Sequence, residues 1–245
     1  TLKEGKTGDM VEKIVEGKVV MVAGGAAVAA VEINCETDFV ANADDFKNFA
    51  QKIVTLIAEK QPADVEALKA LPLDGTTVSE VNTAAIAKIG ENISIRRFAV
   101  ETLGSGELAE TYSHMNGKIG VILKLAYQGE LKDRPALASL AKDLAMQVAA
   151  SSPIAVEAKD VPASVVEKER EIARELTLKE GKTGDMVEKI VEGKVQKFYK
   201  EMCLVNQVFV KDPKTTVDKL LAATAKSLGL GSIKVVAFHR LQLGQ

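Results

Sequence analysis

An apolar, β-branched run followed within ten residues by an amphipathic helix confines this chain to folds in which helices cover a sheet. Ala26 to Cys35 (AAVAAVEINC) reads as a strand. After the turn Thr37-Asp38-Phe39, Asp44 to Glu59 places Phe46, Phe49, Ile53, Val54 and Ile57 at helical spacing. The unit recurs. Lys118 to Tyr127 reads as a second strand, and Pro135 to Ser151 as a helix with Leu137, Leu140, Ala141, Leu144 and Val148 on one face. Two related α+β units follow from that echo.

The segments between them have readable ends. Gln61-Pro62 stops the first helix, and Ala63 to Leu71 forms a short one. Thr76 or Thr77 caps a helix running to Ile89, with Gly90 in the C′ position. Asn92 to Leu103 is a strand whose mixed pattern predicts a bulge. Leu108 to His114 pairs with the second strand through Met115-Asn116-Gly117, since Asn-Gly favours hairpin turns. Ala163 to Lys179 is charged and helical, with Val166, Ile172 and Leu176 as a thin apolar seam. Glu180 to Gly184 breaks it, and Asp185 to Met202 resumes with Met186, Ile190, Val195 and Phe198 inward. Such a pair makes an antiparallel hairpin, each arm about 25 Å long. A loop with Pro213, a helix Thr216 to Leu228 and a strand Ser232 to Gln242 complete the chain.

The expected fold is α+β: two related subdomains of antiparallel sheet plus helices, with a protruding antiparallel coiled-coil hairpin. The division places one subdomain at 20–107, the other at 108–162 with 203–245, and the hairpin at 163–202.

Residues Thr1 to Val19 recur letter for letter at Thr177 to Val195. Natural repeats drift, and repeat architectures stack several copies. One undiverged copy therefore reads as a scar or a sequence artefact. Residues 1–19 are set aside from the fold argument, with a loose helix or disorder expected there.

Several function classes lose support. The net charge is -2 with scattered Lys and Arg, so no concentrated face for a phosphate backbone is visible. Aromatics make up 4% with no Trp, which leaves few residues for stacking bases. Cys35 and Cys203 lie far apart and form no CxxC pair, so they read as buried thiols in a reducing cytoplasm. The first residues lack a signal-peptide core, and no run of about 18 apolar residues could span a membrane. Gly181-Lys182-Thr183 lacks the glycine that a phosphate loop needs five positions earlier, where Leu176 stands. His114 and His239 belong to no catalytic constellation. The chain therefore reads as a binding module, not an enzyme, with no cofactor and no metal.

Val31 to Asn42 (VEINCETDFVAN) resembles the signature of the elongation factor Ts family. Ile86 to Arg97 (IAKIGENISIRR) resembles its second signature. Tyr112 to His114 with Gly117 to Gly120, Met146 to Pro153, Val165 to Glu169, Lys189 to Lys194 and Val235 to Arg240 match in order, covering roughly residues 25–242. The resemblance implies a guanine-nucleotide exchange factor for elongation factor Tu, in its GDP-bound and nucleotide-free states. It implies that Asp38, Phe39, Val40 and Ala41 contact the partner's nucleotide domain and disturb its magnesium site. It adds Ile89 and Gly90 as further contacts, and His114 facing another partner domain. Membrane and nucleic acid are not expected partners. A dimer, or a heterotetramer with the partner, stays open.

Independently of the family, Thr37 can cap a turn at Asp38, leaving Phe39 on a rigid projecting corner. The family's N-terminal helical domain, with its Thr-Gly-Ala-Gly-like turn, is not found here, nor is a C-terminal helix after Gln245. Lower affinity for the partner is the expectation. The alternative is a non-catalytic ribosome- or translation-associated scaffold retaining the fold.

Overall fold

The structure, a computed structural model, describes residues 16–24 and 26–245. Strands β1 (Glu16–Gly24) and β2 (Ala27–Cys35) form an antiparallel hairpin. A five-residue helix α1 (Asp38–Asn42) turns the chain into α2 (Asp44–Lys60), which Gln61 ends in the left-handed region. Helix α3 (Val65–Ala70) and the two-residue strands β3 (Pro72–Leu73) and β4 (Thr76–Thr77) lead to α4 (Val78–Ile89). Thr77 and Glu80 form a capping box at its start, so local chemistry fixes that boundary. Strand β5 (Ser94–Thr102) returns beside β2, giving the sheet order β1-β2-β5.

The second unit repeats the scheme. Strands β6 (Glu107–His114) and β7 (Ile119–Gln128) precede α5 (Arg134–Ser151), which Asp133 caps. The arms α6 (Ala163–Lys179) and α7 (Asp185–Met202) come next, then β8 (Val208–Phe209), β9 (Asp212–Thr216) and α8 (Val217–Ser227). Strand β10 (Ser232–Gln242) closes the second sheet in the order β10-β7-β6.

The two sheets face each other, and helices cover their outer faces. Outward residues of β2 (Ala29, Val31, Ile33, Cys35) pack with Phe46, Ile53 and Ile57 of α2. Inward residues Val28 and Ala30 meet Ala109, Ile122 and Leu241 of the other sheet. Strand β2 is therefore buried on both faces, which accounts for its nearly unbroken apolar run. On the far side, Leu123 and Leu125 of β7 pack with Leu137 and Leu144 of α5 and Leu221 of α8.

The most deeply buried charge among the described residues sits in this interior. Glu32 is fully buried and bound by Arg96 at 2.8 Å and Arg97 at 2.7 Å. The register shift opposite Glu32 realises the expected bulge in β5, and it brings two consecutive arginines to one carboxylate. Arg97 also donates to the Gln242 carbonyl of the opposite sheet at 3.0 Å.

Two expectations change. Glu16 to Val19 are not a loose helix or disorder: they are the first four residues of β1, paired with Cys35 to Glu32. Gly17 has φ +144, and a Cβ there would stand 2.2 Å from the Ile33 carbonyl oxygen, so the pairing demands glycine. The same four letters at Glu192 to Val195 are helical inside α7. Expectations for residues 1–15 lie outside the described residues.

The seam of the helical pair is also shifted. Ala173 of α6 packs with Val187 and Val191 of α7, and Thr177 and Val195 are buried, while Ile172, Leu176 and Met186 are about half exposed. Small residues let the arms approach, and the Thr177 hydroxyl donates to the Ala173 carbonyl at 2.7 Å, removing its need for water. Arg170–Glu192 and Arg174–Glu188 pairs flank one edge, which fixes the antiparallel register.

Candidate functional site

The corner after β2 is built from short-range bonds. Thr37 lies in the extended region, and its hydroxyl accepts from the Val40 amide at 3.3 Å, capping α1. The buried Ala41 methyl anchors the short helix in the first core. Phe39, two residues before it, projects outward and is 84% exposed. Asp38 is exposed beside it and Val40 is half-buried. Ala41, at 3% exposure, is the most buried residue of α1, and Val40 packs against the same core.

Two neighbouring segments hold the corner. Glu91 Oε2 accepts from the Glu36 and Thr37 amides at 3.1 and 3.0 Å, and its Oε1 accepts from the Thr37 hydroxyl at 2.6 Å. Glu36 answers by accepting from the Asn92 amide at 3.2 Å. On the other side, Asn116 Nδ2 donates to Asn42 Oδ1 at 3.0 Å. Lys18 Nζ donates to the Asn116 carbonyl at 2.9 Å. Burial, then the nearby Lys47 charge, lowers the Lys18 ammonium below its ordinary value. A cleft of about 220 Å³ runs between α1 and the Met115-Asn116 turn, with Asp38 and Lys118 on its rim.

Beneath the corner, the Cys35 thiol donates to the Thr37 carbonyl at 3.2 Å. Burial first, and the Glu91 carboxylate second, push this thiol up to about 11.

Ile89 is half-buried against the core at the end of α4, and Gly90 caps that helix at φ 83 with its backbone exposed. His114 is exposed at the end of β6, with Nδ1 3.1 Å from the Tyr112 hydroxyl and the two rings stacked. The structure therefore gathers the named residues around one corner: Glu91 ties in Ile89-Gly90, and Asn42 ties in the turn that follows His114. Sequence reasoning missed Glu91, Asn42, Asn116 and Lys18. Glu91 lies inside IAKIGENISIRR, but its bonding partners stand 54 and 55 residues away, and no local pattern points to them.

Beside the corner, a groove of about 780 Å³ separates α2 from α4. Phe49, Leu56 and Val81 line it, and the Lys88–Asp45 and Lys52–Asp74 pairs lie at its rim. Among the described residues, no cluster of three or more His, Cys, Asp or Glu could hold a metal ion. Nor is any helix there long and apolar enough to cross a membrane.

A family profile described as Elongation factor TS matches residues 36–245. The chain belongs to the elongation factor Ts family. An elongation factor Ts from Burkholderia thailandensis is 50% identical over 209 residues, which is 85% of this chain and 68% of the relative. One from Burkholderia multivorans is 50% identical over 208 residues, covering 85% and 67%. The elongation factor Ts match begins one residue before the Thr37 cap and takes in the corner, Ile89, Gly90 and His114. Membership associates the chain with translation elongation, where the elongation factor Ts family carries guanine nucleotide exchange.

Proposed function

We propose that this chain promotes GDP release from elongation factor Tu in the cytoplasm, by disturbing the partner's magnesium and phosphate site. The observation that carries the reading is Phe39, an aromatic ring 84% exposed on a corner tied down from both sides. Burying such a side chain is worth about 1.5–3 kcal/mol. Left exposed in the free chain, that free energy is gained only when a partner offers a pocket. The rigid corner lowers the ordering cost of docking.

Asp38, Phe39, Val40 and Ala41 form the proposed wedge, with Ala41 on its buried side. Ile89, Gly90 and His114 supply flanking contacts, Gly90 through its exposed backbone. In a GTPase the magnesium ion helps hold the nucleotide phosphates, so displacing it loosens GDP. This chain then has no bond to make or break. Its task is differential binding, tight to the nucleotide-free partner and weak to the GDP-bound one. If the chain weakens GDP binding by a given factor, GDP weakens the chain's binding by that factor.

Release of a fluorescent GDP analogue from elongation factor Tu tests the proposal. Faster release with increasing amounts of this chain is expected, and calorimetry should give equal coupling in both directions. Binding with an unaltered release rate would favour the scaffold reading instead.

A further inference from the structure

We propose that Glu91 is a positioning residue for exchange, presenting Phe39 at a fixed angle to Ile89-Gly90; the inference rests on the exchange reading above. A five-residue helix has almost no stability of its own. What holds α1 in place must come from outside it, and the Glu91 carboxylate supplies three hydrogen bonds to the two residues before it.

The bond to Thr37 has a further effect. A hydroxyl has one proton and two lone pairs. The Thr37 proton goes to Glu91 Oε1 at 2.6 Å, which leaves the lone pairs for the Val40 amide at 3.3 Å. Glu91 thereby sets the orientation that lets Thr37 cap α1. Glu91 follows Gly90 directly in the chain, so the same side chain fixes the distance between the wedge and its flanking contact. The return bond from the Asn92 amide to Glu36 closes the link at a second point.

Glu91→Gln keeps the size of the side chain but leaves one acceptor oxygen, which cannot serve both the Thr37 hydroxyl and the Glu36 and Thr37 amides. Labelled-GDP release from elongation factor Tu is compared for wild type, Glu91→Gln, Phe39→Ala and the double variant. Glu91→Gln is expected to lower the maximum release rate about tenfold, the scale of a lost charged hydrogen bond. In the Phe39→Ala background the same change should cost no more than about twofold, because Glu91 acts through the ring. Equal losses in both backgrounds, or no loss in the wild-type background, would overturn the proposal. No loss from Phe39→Ala itself would instead sink the wedge reading on which it rests. Amide hydrogen exchange on the same proteins separates positioning from folding. Faster exchange confined to Glu36, Thr37 and Val40 is expected, whereas faster exchange throughout β1, β2 and β5 would overturn the proposal.

Discussion

Phe39 and Cys35 stand four residues apart and face opposite conditions. The ring is in solvent and the thiol beneath it is buried. Phe39→Ala should therefore leave the unfolding midpoint almost unchanged, within about 0.5 kcal/mol, as for other exposed positions. Cys35 behaves differently. Its folded pKa, about 11, lies above the ordinary value of 9.0. The protonated thiol is the form the fold favours, so its contribution to stability is complete below pH 9 and is lost as pH rises toward 11. Alkylation of Cys35 should be slow at pH 8 and accelerate across that window; a fast reaction at pH 8 would contradict the buried, hydrogen-bonded thiol. The corner at Phe39 was legible because a Thr cap and the following helix start are local features; the expectation that its ring faces a partner came from the family resemblance, since a phenylalanine beside a helix start is ordinarily core. The carboxylate that steadies the corner was not legible, because a contact across 54 residues leaves no periodic trace.

Helices and strands were legible wherever one face is apolar at a regular spacing. The bounds of α6, α7 and β10 agree with the expected ones, and the capping pairs Thr77–Glu80 and Gly90 fix α4. The seam between α6 and α7 was legible in part: Val195 is buried as assigned and Val166 and Phe198 pack against a buried cluster, whereas Ile172, Leu176 and Met186 are exposed and Ala173 and Thr177 are buried instead. Gly193 lies mid-helix in α7, and a Cβ there would touch nothing. Gly193→Ala should stabilise the pair by about 0.5–1 kcal/mol in chemical denaturation. Gly17, its counterpart in the copied letters, should respond in the opposite direction, since alanine there collides with the β2 backbone. A third element depends on a buried amide. Gln147 of α5 donates to Gln207 Oε1 at 3.0 Å and accepts from the Val210 amide at 2.8 Å, holding the 207–210 segment. Gln147→Leu would strip the buried Gln207 side chain of a partner, and thermal unfolding should show a loss of about 1–3 kcal/mol.

At the scale of the molecule, two helix-covered sheets meet through Val28, Ala30, Ala109, Ile122 and Leu241. The echo of strand and helix announced both units, but not that their bare faces join. Half of that information lay in β1, whose first residues share their letters with a helix: Glu-Gly-Lys-Val is strand at 16–19 and helix at 192–195. Tertiary pairing, not local preference, decides between them. The joined sheets give the corner its footing, since Lys18 of β1 and Asn116 beyond β6 meet beneath it. In the proposed exchange, a partner pressing on Phe39 would push against both sheets rather than against one loop. The most direct measurement is stopped-flow release of labelled GDP from elongation factor Tu at saturating factor, wild type against Phe39→Ala. A maximum rate at least about tenfold lower for the variant, at equal fold stability, is the expected result; equal maximum rates would contradict the wedge.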